Sequence, residues 1–390
     1  MMDAVADARQ FLIDCLVARR RPELLATLAE QIAAQAPDWD AVGALALSER
    51  VAPLLYYSTR RHHLLPDELL HRCHKAYTET GLLNALRLNE LAVLLAALAT
   101  GGIDVILLKG VALAERVYSN IALRPMVDID LLVRKANVCQ ALALLQDAGY
   151  RFEGPEISPD AALEFENEIL LRERDRSGWV IELHWSLFDS PYYQERLPEG
   201  TLWETAESVA FEGSTACALS PEHELLHLCG HLALHHRGVG LLWWNDIADL
   251  ITCDADRLDW DRLLTEAEAL NLIMPLQTVL PEAAERWAAP VPPDVLYRLA
   301  ALVPRPDEAR VYHQLTAGHR PPARRLLSDL SEIPGWGARL RFLFRNLFPS
   351  AAYMDERYGI SRPWLRPFYY LRRWLVGLGG LLSAGSNRPS

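Results

Sequence analysis

Apolar residues recur at helical spacing from residue 4 to about residue 100. Phe11, Leu12, Cys15 and Leu16 form one stripe, and Leu24, Leu25, Leu28 and Ile32 another. Trp39 to Leu47 repeats the pattern after Pro37-Asp38. Pro66-Asp67-Glu68 opens a longer helix: proline suits the first helical position, and the carboxylates favour the N-terminal dipole. That helix runs through Leu82-Leu83 to Leu98 and ends at Gly101-Gly102, a suitable C-terminal signal.

The period then shortens. Val105 to Leu108 is an apolar strand, Lys109-Gly110 a turn, and an amphipathic helix follows through Tyr118. Beyond a loop with Arg124-Pro125, Val127 to Val133 reads as a second strand. Alternate strand residues share a face, so Asp128 and Asp130 point together while Val127, Ile129 and Leu131 point into a core. Ala136 to Ala148 predicts a helix closed by Gly149, and Tyr150-Arg151-Phe152 begins another strand. Glu166 to Arg174 alternates loosely, Asp175 to Gly178 is a turn, and Trp179 to Leu187 alternates cleanly. Together they predict a hairpin that puts Val180, Glu182, His184 and Ser186 on one face.

Ser220-Pro221-Glu222 starts a helix with a hydroxyl cap. It carries His227, His231 and His235, and Gly238 and Gly240 break it. Leu241 to Ile251 forms the next helix, with Trp243, Asp246 and Asp249. From Trp260 onward only helices are predicted: Leu263 to Leu270, Pro275 to Ala288, Leu296 to Leu302, Glu308 to Leu315, Arg324 to Ser331 and Leu340 to Leu347. The expected fold is α+β and mostly helical. Residues 1–102 form an N-terminal helical subdomain, 103–219 an α/β core, 220–383 a C-terminal helical region and 384–390 a disordered tail.

Composition narrows the function. The formal net charge of -12 argues against a large polyanionic acceptor and makes nucleic acid an unlikely partner. Six scattered cysteines without a CxxC pair read as reduced thiols in a cytoplasmic protein. Asp3, Asp7 and Arg9 precede any apolar run, unlike a signal peptide. No uncharged apolar run reaches about 18 residues, so no membrane span is expected.

Two adjacent carboxylates on an apolar strand repel each other and lose solvation. A divalent cation is the usual compensation. The surrounding residues carry a resemblance: Leu107-Leu108-Lys109-Gly110, Ala112-Leu113-Ala114, Tyr118, Arg124-Pro125-Met126 and Asp128-Ile129-Asp130-Leu131-Leu132-Val133. This stretch resembles the core of the polymerase-beta-like nucleotidyltransferases, and more closely a bacterial family of uncharacterised nucleotidyltransferases. More distantly it is similar to the nucleotidyltransferase toxins of abortive-infection systems.

The resemblance implies a nucleotidyltransferase-type mixed sheet, a nucleoside triphosphate co-substrate and Mg2+ or Mn2+. It implies Asp128 and Asp130 as bridging metal ligands and Glu182, in Ile181-Glu182-Leu183-His184-Trp185, as the third. Lys109-Gly110 stands where the superfamily has Gly-Ser or Gly-Gly, so the hydroxyl that often touches a phosphate is missing. The helix start can still receive a phosphate, with Lys109 adding charge to the β or γ phosphate. Arg124 aims into the same pocket, or pairs with Asp128 or Asp130 when metal is absent. His184 touches phosphate or acceptor, carries a proton near neutral pH, or holds Glu182 in place.

The remaining candidates have plainer readings. His62, His63, His71 and His74 read as exposed helix-end histidines. His227, His231 and His235 with Asp246 have the residue types of a zinc site but lack a His-Glu-x-x-His pattern. By resemblance, Trp243 and Asp246 match a Trp-x-x-Asp in relatives, making this region the helical wall of the nucleotide cleft. The mixed aromatic and basic stretch Trp364 to Leu382 packs on the bundle, docks a partner or lies in a membrane interface. Pro367 and Gly377-Gly379-Gly380 count against the last.

The expected activity is transfer of a nucleoside monophosphate from a triphosphate to a hydroxyl or phosphate of a small-molecule, peptide or protein acceptor. Two rivals stand beside it. One is a nucleotide-sugar-dependent glycosyltransferase, whose Asp-x-Asp holds manganese. The other is a degenerate member that binds nucleotide or partner without turnover.

Overall fold

The periodic stripes of the first hundred residues become five helices in the computed structural model: α1 (Met2–Val17), α2 (Leu24–Ala34), α3 (Trp39–Ser48), α4 (Ala52–Thr59) and α5 (Asp67–Thr100). The structure describes residues 2–152, 163, 166–173, 180–211, 214–318, 322–333, 335–349 and 351–383. The Asp175–Gly178 turn and the 384–390 tail of the sequence reading lie outside them. Pro66 and Gly101 cap α5, as their chemistry requires. By length and composition α5 alone, among the described residues, could cross a membrane. Arg87 and Glu90 interrupt its apolar half, and Leu88, Leu91, Leu94, Leu95 and Leu98 are buried in the core beside the sheet.

Seven described strands form one mixed sheet: β1 (Ile106–Leu107), β2 (Asp128–Leu132), β3 (Tyr150–Phe152), β4 (Glu168–Glu173), β5 (Val180–His184), β6 (Glu207–Phe211) and β7 (Ser214–Ala218). Their spatial order is β3-β4-β5-β2-β1-β7-β6. β2 runs parallel to β5 and antiparallel to β1, and β1 runs parallel to β7. β4 and β5 pair antiparallel, as the alternation predicted. α6 (Lys109–Arg116) and α7 (Val138–Asp147) connect the first three strands.

Two details differ from the pattern reading. Val127 is 47% exposed rather than in the core, because the ladder with β5 begins one residue later, at Asp128 opposite Val180. The β6–β7 hairpin was not expected at all. Its residues are mostly Ser, Ala, Thr and Cys, which give a weak strand signal.

The C-terminal half is helical: α8 (Pro191–Gln194), α9 (Glu199–Thr205), α10 (Pro221–Gly230), α11 (Leu241–Cys253), α12 (Trp260–Ala269), α13 (Ile273–Trp287), α14 (Pro293–Ala301), α15 (Pro306–Thr316), α16 (Pro322–Glu332), α17 (Trp336–Leu347), α18 (Ala351–Tyr358) and α19 (Arg366–Ser383). α10 does not stop at Gly230 but widens into a π-turn over His231–His235. Such turns concentrate at functional sites. Pro367 lies in the first turn of α19 and does not interrupt it, and the helix continues through the glycines to Ser383.

The sheet separates two cores. Ile129, Leu131, Ile181 and Leu183 share one with α5 and α7. Ile106, Leu108 and Leu132 join the other, where Leu12 and Leu55 from the N-terminal helices share an interior with Leu225, Ile247 and Leu276 from the C-terminal ones. Asp128 and Asp130 therefore face the helical layer built from both ends of the chain.

A buried ion pair fastens that layer to the sheet. Arg124, in the loop before β2, lies 3.0 Å from Asp246 of α11, and both side chains are buried. Tyr118 donates to Asp246 over 2.7 Å, and Asn245 donates to the Tyr118 hydroxyl over 3.0 Å. Asp246→Ala leaves a buried guanidinium and hydroxyl without their acceptor. It is expected to cost about 3–5 kcal/mol, read as a lower urea midpoint at unchanged slope. A loss below about 1 kcal/mol would show that the pair is not a fastening.

Candidate active site

Parallel pairing sets Asp130 opposite Glu182 and Leu132 opposite His184. Asp128, Asp130, Glu182 and His184 consequently share one face of β2 and β5. β4 adds Glu168, the cross-strand partner of His184. Lys109 enters from the β1–α6 junction, at a left-handed φ of 48°. Its ammonium lies 2.7 Å from Asp130 Oδ1 and 3.4 Å from Glu182 Oε2.

His184 is buried among these carboxylates. Its Nε2 lies 3.0 Å from Asp130 Oδ1 and 3.4 Å from Glu182 Oε2, and its Nδ1 lies 3.1 Å from Glu168 Oε2. Burial and the Lys109 charge oppose its protonation, but the bonds to Asp130, Glu168 and Glu182 outweigh them and lift the imidazole to about 10. Burial likewise works against ionisation of Asp130, yet Lys109 and His184 hold its carboxyl well below the usual range. Four carboxylates thus meet two cationic groups. The surplus falls mainly on Asp128: burial, then Asp130 and Glu182, push its carboxyl up to about 6.

Ligand atoms of Asp130, Glu182 and His184 all lie within 4.8 Å of one another, the one such group among the described residues. Asp128 stands beside it on the same strand face. Carboxylate oxygens suit a hard divalent cation, and the surplus negative charge is what one would neutralise. Of the metal set implied by the resemblance, Asp130 and Glu182 belong to this group, whose third member is His184 rather than Asp128. Lys109 already sits against the oxygens of Asp130 and Glu182, which is not where the resemblance puts it.

Arg124 pairs with wholly buried Asp246 rather than with Asp128 or Asp130, and Asp130, equally buried, has Lys109 and His184 instead. Arg124 still lines the cleft. Gly110 makes this possible: a Cβ there would meet Arg124 Nη1 at 2.3 Å.

The opposite wall comes from the π-turn and α11. His231 and His236 face each other at 2.9 Å between their Nε2 atoms, so one nitrogen must donate and the other accept. Burial pushes His231 and His236 down, the latter to about 4, and both are neutral near pH 7. His236 stacks on Trp243 with ring centroids 3.5 Å apart. His227 is fully buried, and neither ring nitrogen has a hydrogen-bond partner among the described residues. The cleft between wall and carboxylates measures about 240 Å3. Sequence reasoning missed Glu168, Asp189, His236 and Arg50 among its lining residues. Glu168 alone had a usable signal, its place opposite His184 in the hairpin.

A family model described as uncharacterised nucleotidyltransferase matches residues 35–288, which include all of these cleft residues. No curated protein matches the chain. Similar solved structures include the solution structure of the antibiotic-resistance factor ANT(2'')-Ia, at 15% identity and TM-score 0.33 over 53% of this chain and 95% of that one. An antigenic nucleotidyltransferase-like protein from Paracoccidioides brasiliensis gives 17%, 0.36, 54% and 96%. A crystal structure of ANT(2'')-Ia with adenylyl-2''-tobramycin gives 17%, 0.27, 52% and 96%.

The raised Asp128 carboxyl has a stability consequence. Its folded value, about 6, lies above the unfolded 3.8, so the folded state binds the extra proton and loses stability as pH rises from 4 through 6. Asp128→Asn removes that repulsion. In metal-free buffer at pH 8 the variant is expected to be about 1–2 kcal/mol more stable, after discounting for partial exposure. The gain should shrink towards pH 4 in thermal melts. A variant less stable than wild type at pH 8 would mean that Asp128 is held by favourable contacts instead.

Proposed function

The chain belongs to the uncharacterised nucleotidyltransferase family, and on that premise we propose that it moves a nucleoside monophosphate from a nucleoside triphosphate to a hydroxyl or phosphate of a small-molecule, peptide or protein acceptor. The observation carrying this reading is the placement of Asp130 opposite Glu182, with Asp128 on the same face, at the floor of a cleft that the start of α6 borders.

Asp128, Asp130 and Glu182 would hold Mg2+ or Mn2+. When bound, such a cation neutralises polyphosphate charge and favours ionisation of the acceptor hydroxyl. The protein's own groups do the rest. The start of α6 receives phosphate oxygens on its backbone N–H groups. Lys109 exchanges a carboxylate partner for a β or γ phosphate oxygen. His184 keeps Asp130 and Glu182 aimed through charge-assisted bonds and helps hold Asp130 ionised. Glu182 orients the acceptor hydroxyl. The cleft's size suits the phosphate tail, with the nucleoside towards the mouth, where stacked His236 and Trp243 offer a flat aromatic wall. The strongly acidic chain favours an acceptor other than a polynucleotide.

A second reading, nucleotide binding without transfer, is favoured by one observation: the Lys109 ammonium sits on the carboxylates that a metal would use. Calorimetry separates the possibilities. Each nucleoside triphosphate and a nucleotide-sugar panel would be titrated with and without Mg2+ or Mn2+. Metal-dependent triphosphate binding is expected, weakened at least about tenfold in Asp128→Asn/Asp130→Asn. Lys109→Met is expected to weaken it about tenfold as well, the scale of one charge-assisted bond. Preference for a nucleotide sugar would point to a glycosyltransferase. Triphosphate binding without pyrophosphate release across an acceptor panel would support the binding-only reading.

A further inference from the structure

The last helices lie beyond the family match and take no part in the cleft. Residues 336–383 hold eight arginines against Asp355 and Glu356, a net +6 in a chain whose total is -12. The remainder therefore carries -18. Two of the eight arginines are already engaged, Arg366 with Asp355 and Arg345 with Glu166.

α19 packs on α16 and α18, and the end of α17 is fastened to it. Trp374 Nε1 donates to the Leu347 carbonyl over 2.8 Å, and the Phe348 and Trp374 rings lie 5.0 Å apart. In the C-terminal aromatic stretch Tyr370 and Trp374 pack inward, and Tyr369 lies against Tyr358. The outer faces are left in solvent. Trp336, Leu340 and Phe344 recur every four residues along α17, exposed by 78%, 62% and 65%. Trp364, just before α19, and Phe368, Leu371 and Leu375 along it recur at spacings of four, three and four and are also exposed. Arg357, Arg362 and Arg372 are exposed in the same segment.

We propose that this end of the molecule docks on an anionic lipid bilayer surface, with the two stripes entering the interface and the arginines meeting lipid headgroups. Each stripe begins with a tryptophan, the residue that prefers the headgroup level, and continues with Leu and Phe, which insert below it. A second copy of the chain is a poor occupant, because it would bring +6 against +6. A negatively charged sheet attracts this end and repels the acidic remainder, and so orients the molecule on the surface.

The test uses the full chain and needs no nucleotide, so its outcome is independent of the transfer reaction. The protein would be sedimented with phosphatidylglycerol-containing vesicles and with pure phosphatidylcholine vesicles, at low and high salt. Binding to the anionic vesicles is expected to exceed that to neutral ones about tenfold and to fall with salt. Leu340→Glu and Phe368→Glu, one per stripe, should each cut it at least about fivefold, and Arg362→Glu/Arg372→Glu should do the same. These positions are exposed, and unchanged thermal melting verifies the fold. Three results would overturn the proposal: no pelleting by folded wild type, equal binding to both vesicles, or a wild-type dimer dispersed by the stripe substitutions. The last would make the face a self-interface.

Discussion

Everything in the cleft follows from the repulsion among Asp128, Asp130, Glu182 and Glu168, which adjacent strands force onto one face. In water these groups would move apart. On neighbouring strands about 4.8 Å apart they cannot, so the protein supplies compensation from elsewhere. Lys109 reaches in from the end of β1, and His184 lies between three of the carboxylates as a buried cation. Compensation is incomplete, and the deficit gathers at Asp128. The remaining negative charge is what a divalent cation would neutralise, and it supports the metal site proposed for Asp128, Asp130 and Glu182.

How far the sequence revealed this depends on the range of the interaction. Asp128 and Asp130 were legible because strand alternation is local. Glu182 and His184 were legible for the same reason, although parallel pairing with β2 is a long-range fact that only the family resemblance suggested. Lys109 was legible as a basic residue at a helix start. Its choice of Asp130 over solvent was not, because that depends on a left-handed backbone and on strands arriving later in the chain. Glu168 fell between these cases, since β4 alternates too loosely to show which face it presents.

Arg124 lines the cleft, but its ion-pair partner was beyond local reasoning. Near Asp128 and Asp130, it had two carboxylates within a few residues and chose a third on a helix 122 residues away. Burial decides this. Asp246 has no exposure at all, and an uncompensated carboxylate there would cost several kcal/mol, whereas Asp128 keeps some access to water. β6 and β7 were missed for a different reason: small residues build a good strand when the neighbouring ladder exists, but do not advertise one.

The Arg124–Asp246 pair and the histidine wall are parts of one arrangement. Asp246 is on the helix that carries Trp243, and Trp243 stacks on His236 beside the widened turn. A π-turn displaces the residues after it by one position relative to a regular helix. In a regular helix His231 and His235 would simply continue the stripe begun by His227. The widened turn instead brings His236 within 2.9 Å of His231 and against the indole. Two neutral imidazoles and an indole then face four carboxylates, a lysine and a guanidinium across the cleft. One side carries the clustered carboxylates with Lys109 and Arg124; the other is mainly imidazole and indole, with Arg50 over Trp243. This asymmetry is what the proposed reaction would use to tell the two ends of a nucleotide apart. The ion pair that holds α11 against the Arg124 loop keeps the two walls at their working separation.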